Sequence, residues 1–111
     1  MPIANCILAP DVEFDGSAPL VQWWSEAAGV TGEHMTVNVL RAERQLGQRY
    51  AAMVWLYVPS IWTPAARERL QSGLADIFVR ALDCPVADVH GITQTVLSGD
   101  VVEDGQRLTW P

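Results

Sequence analysis

The same strand-helix-strand pattern occurs twice along the chain. The first copy covers approximately residues 2–41, and the second covers approximately residues 50–96. Two right-handed crossover units of this length are most simply joined into one four-stranded sheet with both helices on the same face. The predicted fold class is therefore α+β, two β-α-β units in a single domain over residues 1–111, closed by a short C-terminal hairpin.

The first copy opens with the apolar strand "PIANCIL". A helix is expected to follow, with Ser17 as its N-cap and Gly29 at its end. Its apolar face has helical spacing, at Leu20, Trp24, Ala27 and Ala28. The strand "MTVNVLR" then alternates apolar and polar residues, which is typical of a half-buried strand.

The second copy begins at Tyr50 with "YAAMVWLYV", a nearly continuous apolar run of the kind found in a sheet interior. After it, Thr63 stands in an N-cap position with Pro64 at the first helical residue. The helix that follows has an apolar stripe formed by Leu70, Leu74, Ile77, Phe78, Ala81 and Leu82.

The segment "DVHGITQTV" is the predicted fourth strand, and the tail is expected to form a small hairpin around Asp104 and Gly105. With both helices on one face, the other face of the sheet would carry Met53, Trp55 and Tyr57 uncovered. An apolar face of that size is unfavourable in water, so a closed homo-oligomer is predicted.

The charge balance limits the classes of partner. Seven Lys and Arg residues stand against thirteen Asp and Glu residues, and the basic residues are scattered, which argues against a nucleic-acid or membrane partner. No apolar run approaches the roughly 20 residues needed to span a bilayer, and the first residues lack signal-peptide features, so a cytoplasmic location is expected. Cys6 and Cys84 have neither metal-ligand nor disulfide-framework spacing and are interpreted as buried free thiols.

Both ends of the chain resemble the tautomerase superfamily. Its members are built from β-α-β units that begin with a proline behind the start methionine, as in "MPIANCIL". The closing "VVEDGQRLTWP" is similar to that of the cis-3-chloroacrylic acid dehalogenase group, where a Val-Glu-x-Gly-x-x-Leu-x-x-Pro run carries a catalytic glutamate. The resemblance implies a trimer whose sheets form a central barrel, with active sites between subunits and no cofactor.

The resemblance gives Pro2 a chemical role. Removal of Met1 would leave its ring nitrogen as a free secondary amine, and an apolar pocket lowers the pKa of an α-amino group from near 8. Such an amine acts as a base near neutral pH, and the sequence has no lysine to replace it. The alternative is a tolerated proline at the start of an edge strand, or one locked in an amide by a retained Met1.

Glu103 matches the catalytic glutamate of the dehalogenase group. In that group the glutamate activates water. Alternatively, Glu103 is an ordinary acidic residue beside a tight turn.

The dehalogenase group also carries an arginine pair just after the third strand. The corresponding "VPSIWTPAARERL" has arginines only within the helix. Arg67 is the candidate to bind a substrate anion together with the helix N-terminus. Arg41, at the end of the second strand, is a further candidate, and both have surface roles as alternatives.

Three more residues are predicted to bind substrate. His90 lies roughly where the macrophage migration inhibitory factor branch places a pocket tyrosine from the adjacent subunit, with a structural interface role as the alternative. Asn38 is expected to point toward Pro2, or to satisfy backbone groups at the sheet edge. Trp62 is expected to line the pocket from its loop, whereas the other four tryptophans are interpreted as core or interface residues. His34 is treated as a surface residue, and no metal site is predicted.

These features predict a trimeric tautomerase-like enzyme in which Pro2 is the general acid or base on a small enolisable or unsaturated oxo acid. One alternative is a non-catalytic trimer of the same fold that binds a small hydrophobic ligand or another protein. A second alternative is a cofactor-independent decarboxylase or hydratase that uses the same amine.

Overall fold

A computed structural model describes residues 2–111, and the chain in this range forms a four-stranded mixed sheet with two helices on one face. The elements are β1 (Ile3–Leu8), α1 (Leu20–Ala28), β2 (Thr36–Arg41), β3 (Ala52–Pro59), α2 (Pro64–Leu82), β4 (Val89–Val96), β5 (Val101–Glu103) and β6 (Gln106–Leu108). The strand order is β2-β1-β3-β4, and β5 and β6 form a separate antiparallel hairpin. The predicted fold class is confirmed.

The strands are parallel within each unit and antiparallel where the units join. Residues of β1 pair with β2 from Ile3 beside Thr36, and residues of β3 pair with β4 from Ala52 beside Val89. The join is antiparallel, with Ile3 of β1 opposite Tyr57 of β3. The beginning of β1 consequently lies beside the end of β3, at the same edge of the sheet as the end of β4.

The core lies between the sheet and the helices. Alternate residues of β1 and β3 face it, including Cys6, Leu56 and Val58, each 2% exposed or less. Trp24 of α1 is fully buried, and its indole N–H donates a hydrogen bond to the carbonyl of Leu70 in α2 at 2.9 Å. The largest core side chain therefore keeps its polar atom paired.

The two helices approach each other closely at Gly73 of α2. A Cβ atom there would lie 3.2 Å from Cβ of Ala27 and 3.5 Å from Cδ1 of Trp24. The missing side chain thus makes room for the neighbouring helix.

The helix termini agree only partly with the predictions. Thr63 caps α2 as predicted, with its Oγ1 accepting the N–H of Ala66 at 3.1 Å. Gly29 ends α1 in the left-handed conformation, also as predicted. The prediction for Ser17 is wrong, because Pro19 occupies the N-cap of α1 and the Ser17 amide and hydroxyl both donate to the carboxylate of Asp15.

Both cysteines are free thiols, as predicted, but only one is buried. Burial raises the pKa of the Cys6 thiol to about 12. Cys84 follows α2 and is partly exposed, so its expected burial is wrong. Neither of the helices in residues 2–111 is long and apolar enough to cross a membrane.

The second face of the sheet, called the open face below, carries no helix within residues 2–111. Its half-buried side chains alternate with the core residues of β1 and β3: Ile3, Asn5, Ile7, Met53, Trp55 and Tyr57. Asn38 of β2 lies on the same face and donates from its amide to Oδ1 of Asn5 at 2.9 Å.

Enlarging Gly73 should destabilise the fold. We expect Gly73→Val to lower the free energy of unfolding by about 1–3 kcal/mol, because the added carbons overfill the contact between the helices. Gly16→Val is the matched control, since nothing lies within 4 Å of a Cβ atom at that position. Urea unfolding followed by tryptophan fluorescence measures both, and equal stability of the two variants would contradict the close contact.

Candidate active site

Pro2 lies on the core face of the sheet, directly before β1, and its side chain is less than 2% exposed. Its carbonyl accepts a hydrogen bond from the N–H of Thr36 in β2 at 3.2 Å. Because Ile3 is opposite Tyr57, Pro2 comes opposite Val58 near the end of β3. The prediction that Met1 is removed concerns a residue outside the described range.

We call the edge of the sheet that holds Pro2 the proline end. It consists of the beginnings of β1 and β2 and of the final residues of β3 and β4. The loop between β3 and α2, the first turn of α2 and the β5-β6 hairpin all start from or return to this edge. The topology therefore gathers several separate segments around Pro2.

Trp62 stands in the loop between β3 and α2 and is partly buried against the core. The loop is fixed to the sheet, since the N–H of Ser60 donates to the carbonyl of Val96 at 2.8 Å. The indole N–H of Trp110 donates to Oγ of Ser60 at 2.9 Å. The C-terminal tail thus returns to the proline end and brings a tryptophan that sequence reasoning assigned to the core or an interface.

Arg67 also reaches the proline end. Its Nη1 donates to Oγ1 of Thr95 in β4 at 3.2 Å. Thr95 is beside Val58, which is opposite Pro2, so the three residues form a row across the core face. Two strand spacings separate Pro2 from Thr95, or about 10 Å between their Cα atoms.

Glu103, the last residue of β5, borders a cavity of about 620 Å³ at the proline end. The wall also includes Ile3 and Thr36, the residues adjacent to Pro2 in the chain and in the hydrogen-bond ladder. Glu103 is exposed to solvent. The hairpin therefore places an acidic group at the proline end of the sheet.

Arg41 lies at the opposite end of the sheet. It is paired with Leu8, six residues along β1 from Pro2, which corresponds to about 20 Å at the rise of a β-strand. Its guanidinium donates instead to the carbonyls of Ala9, Pro10 and Val12. Within one protomer Arg41 is therefore remote from Pro2, because β1 and β2 are parallel and Arg41 ends β2. Its role in substrate binding stays a prediction.

Asn38 lies on the open face, whereas Pro2 is on the core face. Because Ile3 pairs with Thr36, Pro2 comes beside Met35, the residue before β2. Successive residues of a strand point to opposite faces, so Asn38, three residues after Met35, faces the other way. Within one protomer Asn38 therefore lies on the face opposite the Pro2 ring, and its role in substrate binding stays a prediction. Its amide is instead paired with Asn5.

His90 is near the beginning of β4, beside Met53 and far from the proline end of its own chain. Its ring packs against Tyr50 with 4.8 Å between the ring centroids. The predicted role of His90 depends on a neighbouring subunit, so it stays a prediction. Within residues 2–111, no group of three or more His, Cys, Asp or Glu side chains is placed to hold a metal ion.

Several solved structures share this arrangement. The chain is 18% identical to an F6 fused 4-OT described as an asymmetric trimer, with 95% of this chain and 94% of that chain aligned and a TM-score of 0.75. It is 14% identical to Leishmania major MIF2, with 97% of each chain aligned and a TM-score of 0.70. The chain has the tautomerase fold.

A third tautomerase-fold structure is N1, a member of the cis-3-chloroacrylic acid dehalogenase family. It is 14% identical, with 98% of this chain and 85% of that chain aligned and a TM-score of 0.69. No protein-family model and no curated protein sequence matches the chain. The resemblance inferred from the two ends of the sequence is thus confirmed at the level of the fold.

Arg41 should matter for stability. We expect Arg41→Ala to lower the free energy of unfolding by about 1–3 kcal/mol, because three carbonyls after β1 lose a charged donor. Arg44→Ala, in the exposed loop that follows β2, is the control. Chemical unfolding gives the comparison, and an Arg41 variant as stable as the control would show that these hydrogen bonds contribute little.

Proposed function

We propose that this protein is a cofactor-independent enzyme in which Pro2, freed by removal of Met1, transfers protons on a small enolisable or unsaturated oxo acid. One observation carries the proposal: the cavity bordered by Glu103, the guanidinium of Arg67 and the loop of Trp62 all lie at the end of the sheet where Pro2 precedes β1. These segments are distant in sequence. Their convergence on the end of the sheet that holds the one residue able to supply a secondary amine favours catalysis over a structural role for Pro2.

The surroundings of Pro2 suit a base that works near neutral pH. Its cross-strand neighbours Val58 and Met35 are 1% and 8% exposed, so the site is apolar on both sides. Poor hydration disfavours the charged form of an amine and lowers its pKa from the ordinary value near 8. A neutral amine at Pro2 is then available to remove a proton from carbon.

Arg67 suits the recognition of a single carboxylate. Its guanidinium lies in the row that contains Pro2 and Val58, and it is held by a neutral hydroxyl rather than by an acidic side chain. A guanidinium binds a carboxylate through paired, charge-assisted hydrogen bonds. We therefore favour a substrate with one carboxylate, bound about 10 Å or less from the amine.

We further propose that the active form is a homotrimer. The open face carries Trp55 and Tyr57 half-exposed in the single chain, and such a face favours burial against other copies. The fused 4-OT of similar fold is a trimer. In such an assembly, His90 of one copy is proposed to donate a hydrogen bond to the substrate of the next.

Two other functions have their own support. The position of Glu103 at the cavity favours a hydratase or decarboxylase that uses the same amine, because a carboxylate there can activate water. The near-complete burial of Pro2 favours a non-catalytic trimer that binds a small hydrophobic ligand or a protein. Each predicts a different response to the substitutions below.

Replacing Pro2 tests the proposal directly. Intact mass should first show that Met1 is absent from the purified protein. We then expect Pro2→Ala to lower kcat/KM for ketonisation of phenylenolpyruvate, which carries one carboxylate, by about 100-fold or more, because the secondary amine is lost. The dicarboxylate 2-hydroxymuconate is the second substrate to be compared. Pro10→Ala, an exposed proline after β1, is the matched control and should keep wild-type activity.

Retention of Met1, or equal rates for wild type and Pro2→Ala, would remove Pro2 from the chemistry. Absence of turnover with both substrates would favour the binding function. Product analysis with unsaturated and 3-oxo acids would identify the hydratase or decarboxylase.

Glu103 separates tautomerisation from water addition. If the enzyme adds water, Glu103→Gln should lower the hydration rate of a small unsaturated acid by about 100-fold or more, since the general base is lost. The tautomerase activity should stay close to wild type. Glu43→Gln, in an exposed loop at the far end of the sheet, is the control. Steady-state kinetics on both reactions distinguish the two cases, and loss of both activities would contradict a role limited to water.

A further inference from the structure

His34, treated above as a surface residue, lines the cavity that Glu103 borders. It stands in the turn before β2, and the cavity wall includes His34, Thr36, Ile3 and Glu103. The sequence offered no sign of this, because His34 belongs to no motif and follows a glycine-containing loop. Its place depends on the pairing between β1 and β2.

The strand register brings His34 near Pro2. The N–H of Thr36 donates to the carbonyl of Pro2, and the parallel pairing begins with Ile3 beside Thr36. Pro2 therefore comes beside Met35, and His34 is the next residue back along the chain. This places the His34 backbone within two strand spacings, roughly 10 Å, of the Pro2 ring.

The turn that carries His34 is held at both ends. The N–H of Met35 donates to the carbonyl of Gly32 at 3.2 Å, and the Met35 side chain is 8% exposed. A Cβ atom at Gly32 would lie 3.1 Å from Cγ1 of Val21, so the turn packs against α1. His34 is thus presented to the cavity from an anchored segment.

Two carboxylates line the same cavity, those of Glu33 and Glu103. They are the other titratable groups of its wall within residues 2–111. Imidazole is the side chain suited to both giving and taking a proton between pH 5 and 8. His34 is therefore the one imidazole of the cavity wall in the described part of the chain.

We propose that His34 is a second catalytic residue, which transfers a proton to and from the substrate oxygen. Pro2 transfers the proton to and from the substrate carbon. The inference rests on the proposed function. In the direction from ketone to enol, the Pro2 nitrogen takes the proton of the C–H bond, and that electron pair forms the C=C bond. The former C=O π pair moves to oxygen, which takes a proton from the imidazolium of His34. One proton leaves carbon and one reaches oxygen, so no oxidant or co-reactant is needed.

The substrate class follows from this pairing. It is a small 2-oxo or enol compound whose carbonyl oxygen points into the cavity beside His34, away from Arg67.

The test measures His34→Gln and His34→Ala together with Pro2→Ala on the same enol substrate, as pH profiles of kcat/KM from pH 5 to 9. We expect His34→Gln to lower kcat/KM by about 100-fold and to change the shape of the pH profile relative to that of wild type. Added imidazole should restore part of the activity of His34→Ala, which a purely structural role would not allow. Thr31→Ala, an exposed change in the same turn, is the control.

The outcomes separate the two proposals. If Pro2→Ala loses activity but His34→Gln keeps both its rate and its pH profile, His34 is not catalytic and the function proposed for Pro2 stands. Equal rates for wild type and Pro2→Ala, or no turnover by wild type, would overturn the proposed function and this inference with it. A His34→Gln variant whose thermal unfolding matches wild type excludes misfolding as the cause of a lost rate, and failure of imidazole to rescue His34→Ala would count against proton transfer by His34.

Discussion

The antiparallel pairing of β1 with β3 is the constraint on which the arrangement of this protein depends. Each unit alone is a parallel strand pair with a crossover helix, and its strand ends would lie far from the other unit's ends. Joining the units antiparallel turns the beginning of β1 toward the ends of β3 and β4. Pro2, Trp62 and Arg67 come to one edge of the sheet for this reason, and the same pairing sends Arg41 to the other edge.

The elements of the fold could be predicted because their signals are local. Alternation in β2, the continuous apolar run of β3 and the Thr63-Pro64 start of α2 each act within a few residues. The start of α1 was less predictable, since Ser17 finds a closer partner in Asp15 than in the helix. The fold class followed from the repetition of these elements rather than from any single one.

The site was harder to predict, because it depends on which strand ends meet. Asn38 and Arg41 are both on β2, but within one protomer Asn38 lies on the face opposite the Pro2 ring and Arg41 lies at the other end of the sheet. His34 and Trp110 were missed for the converse reason. Their positions follow from the register of β1 with β2 and from the path of the tail back to Ser60, neither of which has a local signature.

The hydrogen bond from Arg67 to Thr95 has a consequence for how an anion would be received. The guanidinium is already immobilised over the sheet, so its side-chain freedom is lost during folding rather than on association. A threonine hydroxyl is an uncharged acceptor and yields readily to a carboxylate, whose hydrogen bonds to arginine are stronger. This hydrogen bond thus keeps the Arg67 guanidinium oriented by a neutral partner rather than by an opposite charge.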